Sequence, residues 1–213
     1  MAKRGYPTSM IPAVVFSVCS FILLIMITVS TPMWNSVYFL RLVSGPNEPL
    51  PLPSNAVVTW GVFGYTHSAP QLGYSPAQWS GTGIKDPTVD DESLRGITYA
   101  LILHPIAAFF GVIAFGFSLI GLCSRAGAVF GTFASGLMTL LVMVAFIVDM
   151  VLFSILKARL VDPPYNDRQT SYGPAIWMTL AAFIASAITL ASTAYTTFSH
   201  HRYPRKWENE QQY

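Results

Sequence analysis

Four stretches of this chain are long, apolar and almost free of charge: residues 11–31, 96–123, 126–156 and 172–198. A bilayer hydrocarbon core is about 30 Å thick, and about 20 apolar residues in helical form cross it. In lipid every backbone N–H and C=O has to bond within its own segment, so such stretches cross as helices. The chain therefore reads as an all-α membrane protein, a four-helix transmembrane bundle. The second and third spans are separated only by Ser124 and Arg125 and have to fold as an antiparallel hairpin. Composition agrees. Hydrophobic residues make up 53% and charged residues 10%, whereas an average soluble domain carries about 25% charged residues. A net charge of +2, with no basic run interleaved with aromatics, excludes nucleic acid as a partner. Two cysteines, Cys19 and Cys123, are too few for a disulfide scaffold or a Cys-based zinc site.

Lys3 and Arg4 precede the first span, as in a secretory signal. Its apolar run exceeds the signal h-region of about 7–15 residues, and the exit Ser30-Thr31-Pro32-Met33-Trp34 has no small-residue cleavage site. It is expected to stay as an anchor. Four spans then put residues 1–10 and 199–213 on one side. Lys3, Arg4, Arg125, Arg202, Arg205 and Lys206 lie there, equal in number to Arg41, Lys85, Arg95, Lys157, Arg159 and Arg168 opposite. The first set sits in short flanks, where positive residues set orientation most strongly. Asp86, Asp90, Asp91 and Glu92 lie opposite. The expected location is the plasma membrane, multi-pass, with both termini cytosolic.

The outer loop, 32–95, is too long for a passive connector. Ser36–Val43 and Ala56–Tyr65 are rich in β-branched and aromatic residues. The Pro-rich stretch Ser44–Ser54 joins them, and Gly73-Tyr74-Ser75-Pro76 marks a turn. These features predict a small extracellular β-rich cap from the first loop. Trp34, Trp60 and Trp79 suit membrane-interface anchoring, with contact to a partner as the alternative. A second outer loop spans 157–171, and a short cytosolic tail 199–213.

Asp149 is the one acidic residue within a span. A carboxylate in lipid is costly and normally faces the bundle interior or a partner. It can be held structurally in the bundle, pair with another subunit, or belong to a proton or ion path. His104 precedes Pro105, whose ring removes a backbone donor, frees a carbonyl one turn back and kinks the helix. His104 can satisfy that backbone group or, being at similar depth, pair with Asp149. Small residues recur at spacing four in Ala107 and Gly111, in Gly127, Gly131 and Ser135, and in Ala187 and Ala191. Such stripes let helices approach within the bundle or between copies. Cys19 reads as a small apolar filler. Cys123, at the cytosolic edge, is a candidate for palmitoylation. The basic patch His200–Lys206 suits anionic lipid or simple positive-inside anchoring. There is no phosphate loop, no H-E-x-x-H and no G-x-S-x-G, so no catalytic, cofactor-binding or metal-binding residues are assigned.

Trp60-Gly-Val-Phe-Gly-Tyr65, Leu72-Gly-Tyr-Ser-Pro76, Leu101-Ile-Leu-His-Pro-Ile-Ala-Ala108 and Ala145-Phe-Ile-Val-Asp-Met-Val-Leu-Phe153 occur in this order on a four-span layout. Together they resemble the PalI family of fungal tetraspan plasma-membrane proteins, which has eisosome-type relatives and is distantly claudin-like. Family members usually carry a cysteine after the Gly-Tyr and a second soon after; here Thr66 stands in the first place and no cysteine follows before Cys123. The loop therefore relies on packing rather than a disulfide. Many members also have long cytosolic tails, which sets tail-mediated signalling apart from what is expected here. The resemblance implies a non-enzymatic scaffold or assembly factor that helps a seven-span pH sensor of the PalH type reach or stay at the plasma membrane. An eisosome-type microdomain organiser, acting through self-association as a homo-oligomer and through membrane lipids, is the alternative. A channel or transporter is a lesser one.

Overall fold

The structure, a computed structural model, describes residues 10–44, 57–66, 68–73, 96–161 and 169–199. Four helices long and apolar enough to cross a membrane form the bundle. Helix α1 spans Met10–Thr28. A helical turn at 96–99 and a 3-10 turn at Ala100–Ile102 lead into α2, Leu103–Cys123. Helix α3 runs Arg125–Val161 and α4 runs Pro174–Ser199. Neighbours in the ring are α1–α2, α2–α3, α3–α4 and α4–α1.

Burial is inverted relative to a soluble bundle. Large apolar side chains such as Phe109, Phe133, Trp177 and Phe198 point outward, while Ala107, Ala114, Ala134 and Ala182 fill the interior. Lipid tails are as apolar as leucine, so packing rather than water exclusion holds such helices together, and small residues improve it. Gly111 lies between Phe21 of α1 and Met138 of α3. Gly127 abuts Ile120 and Gly121 across the hairpin, and Gly131 faces Phe117. Ser135 Oγ lies 3.2 Å from Thr193 Oγ1, and Thr132 Oγ1 lies 3.1 Å from Thr197 Oγ1, joining α3 to α4. Ser20 Oγ donates to Ala182 O at 3.0 Å, joining α1 to α4.

The expected stripe on the fourth span is displaced. Ala191 is exposed and Ala187 only half-buried, whereas Ala182, Ser186, Thr189, Thr193 and Thr196 are buried. Hydroxyl side chains, bonded to carbonyls of the preceding turn, do the close packing there. Cys19 also departs from expectation: it lies on the exposed side of α1 and fills no interior gap.

A three-stranded antiparallel sheet caps one end of the bundle in the order β2-β1-β3. Its strands are β1 (Leu40–Val43), β2 (Val57–Trp60) and β3 (Gln169–Tyr172). Strands β1 and β2 fall inside the segments that β propensity marks. Strand β3 does not come from the first loop. The stretch before the fourth span contributes it, pairing Leu40 with Tyr172 and Val43 with Gln169. Helix α4 accordingly starts after this strand, at Pro174.

Helix α3 has 37 residues and is about 55 Å long at 1.5 Å per residue, well beyond a bilayer core. Its end joins the cap. Leu152, Phe153 and Leu156 pack with Ile27, Phe39, Leu40, Leu42, Val58, Trp60 and Ile176 in one cluster. Trp60 is 0% exposed, which overturns interfacial anchoring for this residue. It faces the bundle side of the sheet, where it is the largest piece of the cap core. Trp34, at 45% exposed, keeps an outward position.

The Trp60–Tyr65 motif is a tight fold-back along β2. Gly61 N donates to Gly64 O at 2.8 Å, Trp60 bridges Tyr65, and Thr66 N donates to Thr59 O at 2.9 Å. Gly64 has φ +150°, a conformation that side chains disfavour. Gly61 presses its Cα against the backbone of Thr31, and Val62 N donates to Ser30 Oγ at 3.0 Å. The motif thus ties the cap to the exit of α1. A Cβ at position 61 would collide with the Thr31 carbonyl. Gly61→Ala is therefore expected to lower stability by about 1–3 kcal/mol, the usual cost of overpacking, as read by thermal unfolding in detergent. An unchanged midpoint would contradict this contact.

Candidate functional site

The polar site lies where the cap meets the bundle. Pro105 is the third residue of α2, so the amide that would have bonded back to Leu101 is missing. His104 turns its ring toward that carbonyl, with Nδ1 3.2 Å from Leu101 O. Its other nitrogen, Nε2, lies 3.2 Å from Asp149 Oδ2 on α3, in contact but without hydrogen-bond alignment. Thr179 of α4 donates its hydroxyl to Asp149 Oδ2 at 3.3 Å and to Ala175 O at 3.0 Å, sharing one proton between two acceptors. His104, Asp149 and Thr179 are each 0% exposed. Phe39, just before β1, closes the site from above. Its ring meets His104 edge-on at 5.7 Å and stacks on Phe153 at 4.8 Å.

The protonation pattern follows from the partners. A carbonyl only accepts, so the Leu101 contact calls for a proton on Nδ1. Nε2 and Oδ2 then need one further proton between them, or two lone pairs would face each other. Imidazolium with carboxylate, or imidazole with carboxylic acid, are the two arrangements. Both leave the pair neutral overall, the condition for keeping it out of water. Asp149 Oδ1 is buried and has no partner among the described residues. The arrangement can hold one proton at either of two atoms and can bind the cap to the bundle. Among the described residues no group of three or more His, Cys, Asp or Glu could hold a metal ion.

The structure brings together His104, Pro105 and Asp149, and turns Asp149 into its own bundle. Lys157, two turns further along α3, faces away from it: its Nζ lies 4.5 Å from the ring centre of Tyr172. The helix-packing residues Ala107, Gly111, Gly127, Gly131 and Ser135 are all buried. Gly73, with φ +65°, sits against the ring of Tyr99. Tyr74, His67, Trp79, the stretch Lys85–Glu92 and the tail from His200 lie outside the described residues. Cys123 is the last residue of α2, but its side chain lies outside them too. Sequence reasoning missed Thr179 and Phe39. Thr179 carried a readable signal, since it continues the Ser186–Thr189–Thr193 face by two turns. Phe39 carried none beyond its apolar character.

Fold and site together define a four-span membrane protein whose cap is seated on a buried His–Asp pair. The SUR7/PalI family profile matches residues 8–189, and the chain belongs to that family. It is also similar to the pH-response regulator protein palI/RIM9 of Emericella nidulans, with 31% identity over 123 residues. That match covers 55% of this chain and 19% of the relative, so the chain spans about a fifth of the relative's length.

Removing one member of a buried pair strands the other, at a cost of about 3–5 kcal/mol. His104→Leu and Asp149→Leu are each expected to lose that much in unfolding experiments. The double replacement by leucine is expected to lose clearly less than the two single losses combined. Strict additivity would mean that the two side chains do not interact.

Proposed function

We propose that this protein is a non-enzymatic tetraspan component of ambient-pH signalling at the plasma membrane, acting as a scaffold or assembly factor for a multi-span sensor of the PalH type. The observation that carries the reading is the similarity to a protein named as a pH-response regulator, within a family match over most of the chain. The architecture supports it. A cap built from parts of both loops sits on one end of the bundle, and small and hydroxyl side chains are among those that pack the bundle interior. In this reading both termini lie in the cytosol.

In this reading Asp149 and His104 act by fixing the cap in one position on the bundle. Asp149 is fully buried within its own chain, so it acts on a partner only through the surface it holds in place.

The test is recovery of the tagged full chain from native membranes in mild detergent, with mass spectrometry of the co-purifying chains. A stoichiometric seven-span receptor is expected, and its recovery is expected to fall when Asp149→Leu loosens the cap. Recovery of only self-oligomers and microdomain proteins would overturn the sensor-assembly reading in favour of an eisosome-type organiser. In a fungal strain lacking its pH-response regulator, the wild-type chain is expected to restore growth at alkaline pH. Failure there, with normal surface delivery, would remove the pH-signalling assignment.

A further inference from the structure

A residue of the cap closes off the His104–Asp149 pair. Phe39 leads into β1, meets His104 edge-on at 5.7 Å and stacks on Phe153 at 4.8 Å. It belongs to the same buried cluster as Leu40, Leu42 and Trp60 of the sheet and Leu152 and Phe153 of α3. Lifting the sheet from the bundle therefore takes Phe39 with it and lets water reach the pair. No other titratable or charged side chain among the described residues acts on either member. Arg41 stands between the buried Leu40 and Leu42 and so leaves the opposite face of β1. Lys157, further along α3, lies over Tyr172 of β3. From α1 comes Ile27, and from α4 come Ala175, Ile176 and Thr179, none of them ionisable in this range.

Closed and open states hold different numbers of protons. Closed, the pair carries two: one on Nδ1 toward Leu101 O and one between Nε2 and Oδ2. Losing the second would set two lone pairs 3.2 Å apart and bury a net negative charge. Open, both side chains are solvated and follow their ordinary pKa values, about 6.5 for imidazole and about 3.9 for the carboxyl. Between those values the open pair is imidazolium and carboxylate. It too carries two protons, so closure there is indifferent to pH. Above about pH 6.5 the open pair carries only one. Closing then takes up a proton, and each further pH unit disfavours closure about tenfold. We propose that the pair is a proton-coupled latch, which holds the cap on the bundle most firmly in mildly acidic surroundings and loosens it as the medium on the cap side turns alkaline. The latch needs no partner protein and stands apart from the sensor-assembly role; joined to that role, it adds a response to pH in the chain itself.

Hydrogen exchange on the full chain in lipid nanodiscs tests this, with each rate divided by its intrinsic value at the same pH so that only opening is read. Between about pH 4.5 and 6.5, wild-type protection of β1 and β3 is expected to stay level. Over the next two pH units it is expected to fall about fifty-fold. Asp149→Asn reverses the sign. Its amide donates to Nε2 and has no proton to give up, so His104 is a neutral imidazole when closed and is protonated when open below about pH 6.5. Cap protection in this variant is expected to stay level in alkali and to fall about fifty-fold over the two units below pH 6.5. The double replacement His104→Leu with Asp149→Leu has nothing to titrate at the site and supplies the baseline. A wild-type alkaline loss no larger than that of the double replacement would overturn the latch. So would an equal alkaline loss in Asp149→Asn. These readouts involve no partner, so failure of the latch is distinct from failure to recover a sensor.

Discussion

The contact between His104 and Asp149 is the constraint around which the rest of the structure is arranged. Two ionisable side chains with no exposure to solvent stand only as a unit that is neutral overall. Meeting that condition takes three helices at once. The turn leading into α2 supplies the Leu101 carbonyl that His104 faces, α3 supplies the carboxyl, and α4 supplies the Thr179 hydroxyl. The relative heights of α2, α3 and α4 are thereby set at the cap end of the bundle. Phe39 then covers the pair from the cap, so the sheet and the helices share one polar centre.

Two kinds of packing meet at that level. Above it, Trp60, Leu40, Leu42 and Val58 come out of water when the sheet folds onto the bundle, and each large side chain contributes about 1.5–3 kcal/mol. Below it, lipid replaces water as the alternative environment and that driving force is absent. There the helices depend on fit: glycine and alanine at the contacts and hydroxyl pairs between α3 and α4. The cap is thus held by hydrophobic burial and the bundle by close approach. The His–Asp pair lies at the boundary between the two.

The spans were legible because a bilayer imposes length and apolarity on contiguous residues. Asp149 and His104 stood out because charge is rare in such segments. Strands β1 and β2 could be read from local propensity. Strand β3 could not: Gln169-Thr-Ser-Tyr172 is short and polar, and it becomes a strand because the exposed edge of β1 lies beside it. Trp60 misled for a related reason. Tryptophan near a span normally marks the interface, and only the sheet's register shows that this one faces inward. The stripe on α4 escapes a search for alanines because threonine and serine, bonded to their own helix, perform the same packing.

A cap locked to the bundle in this way is held in place without a disulfide, in keeping with the absence of any cysteine between Cys19 and Cys123. Hydrogen exchange on the chain in lipid nanodiscs tests this coupling most directly, comparing wild type with Asp149→Leu. The account predicts that removing the carboxyl lowers protection in all three cap strands as well as around position 149, because cap and bundle open together. Cap strands that keep their full protection while the helices loosen would contradict it.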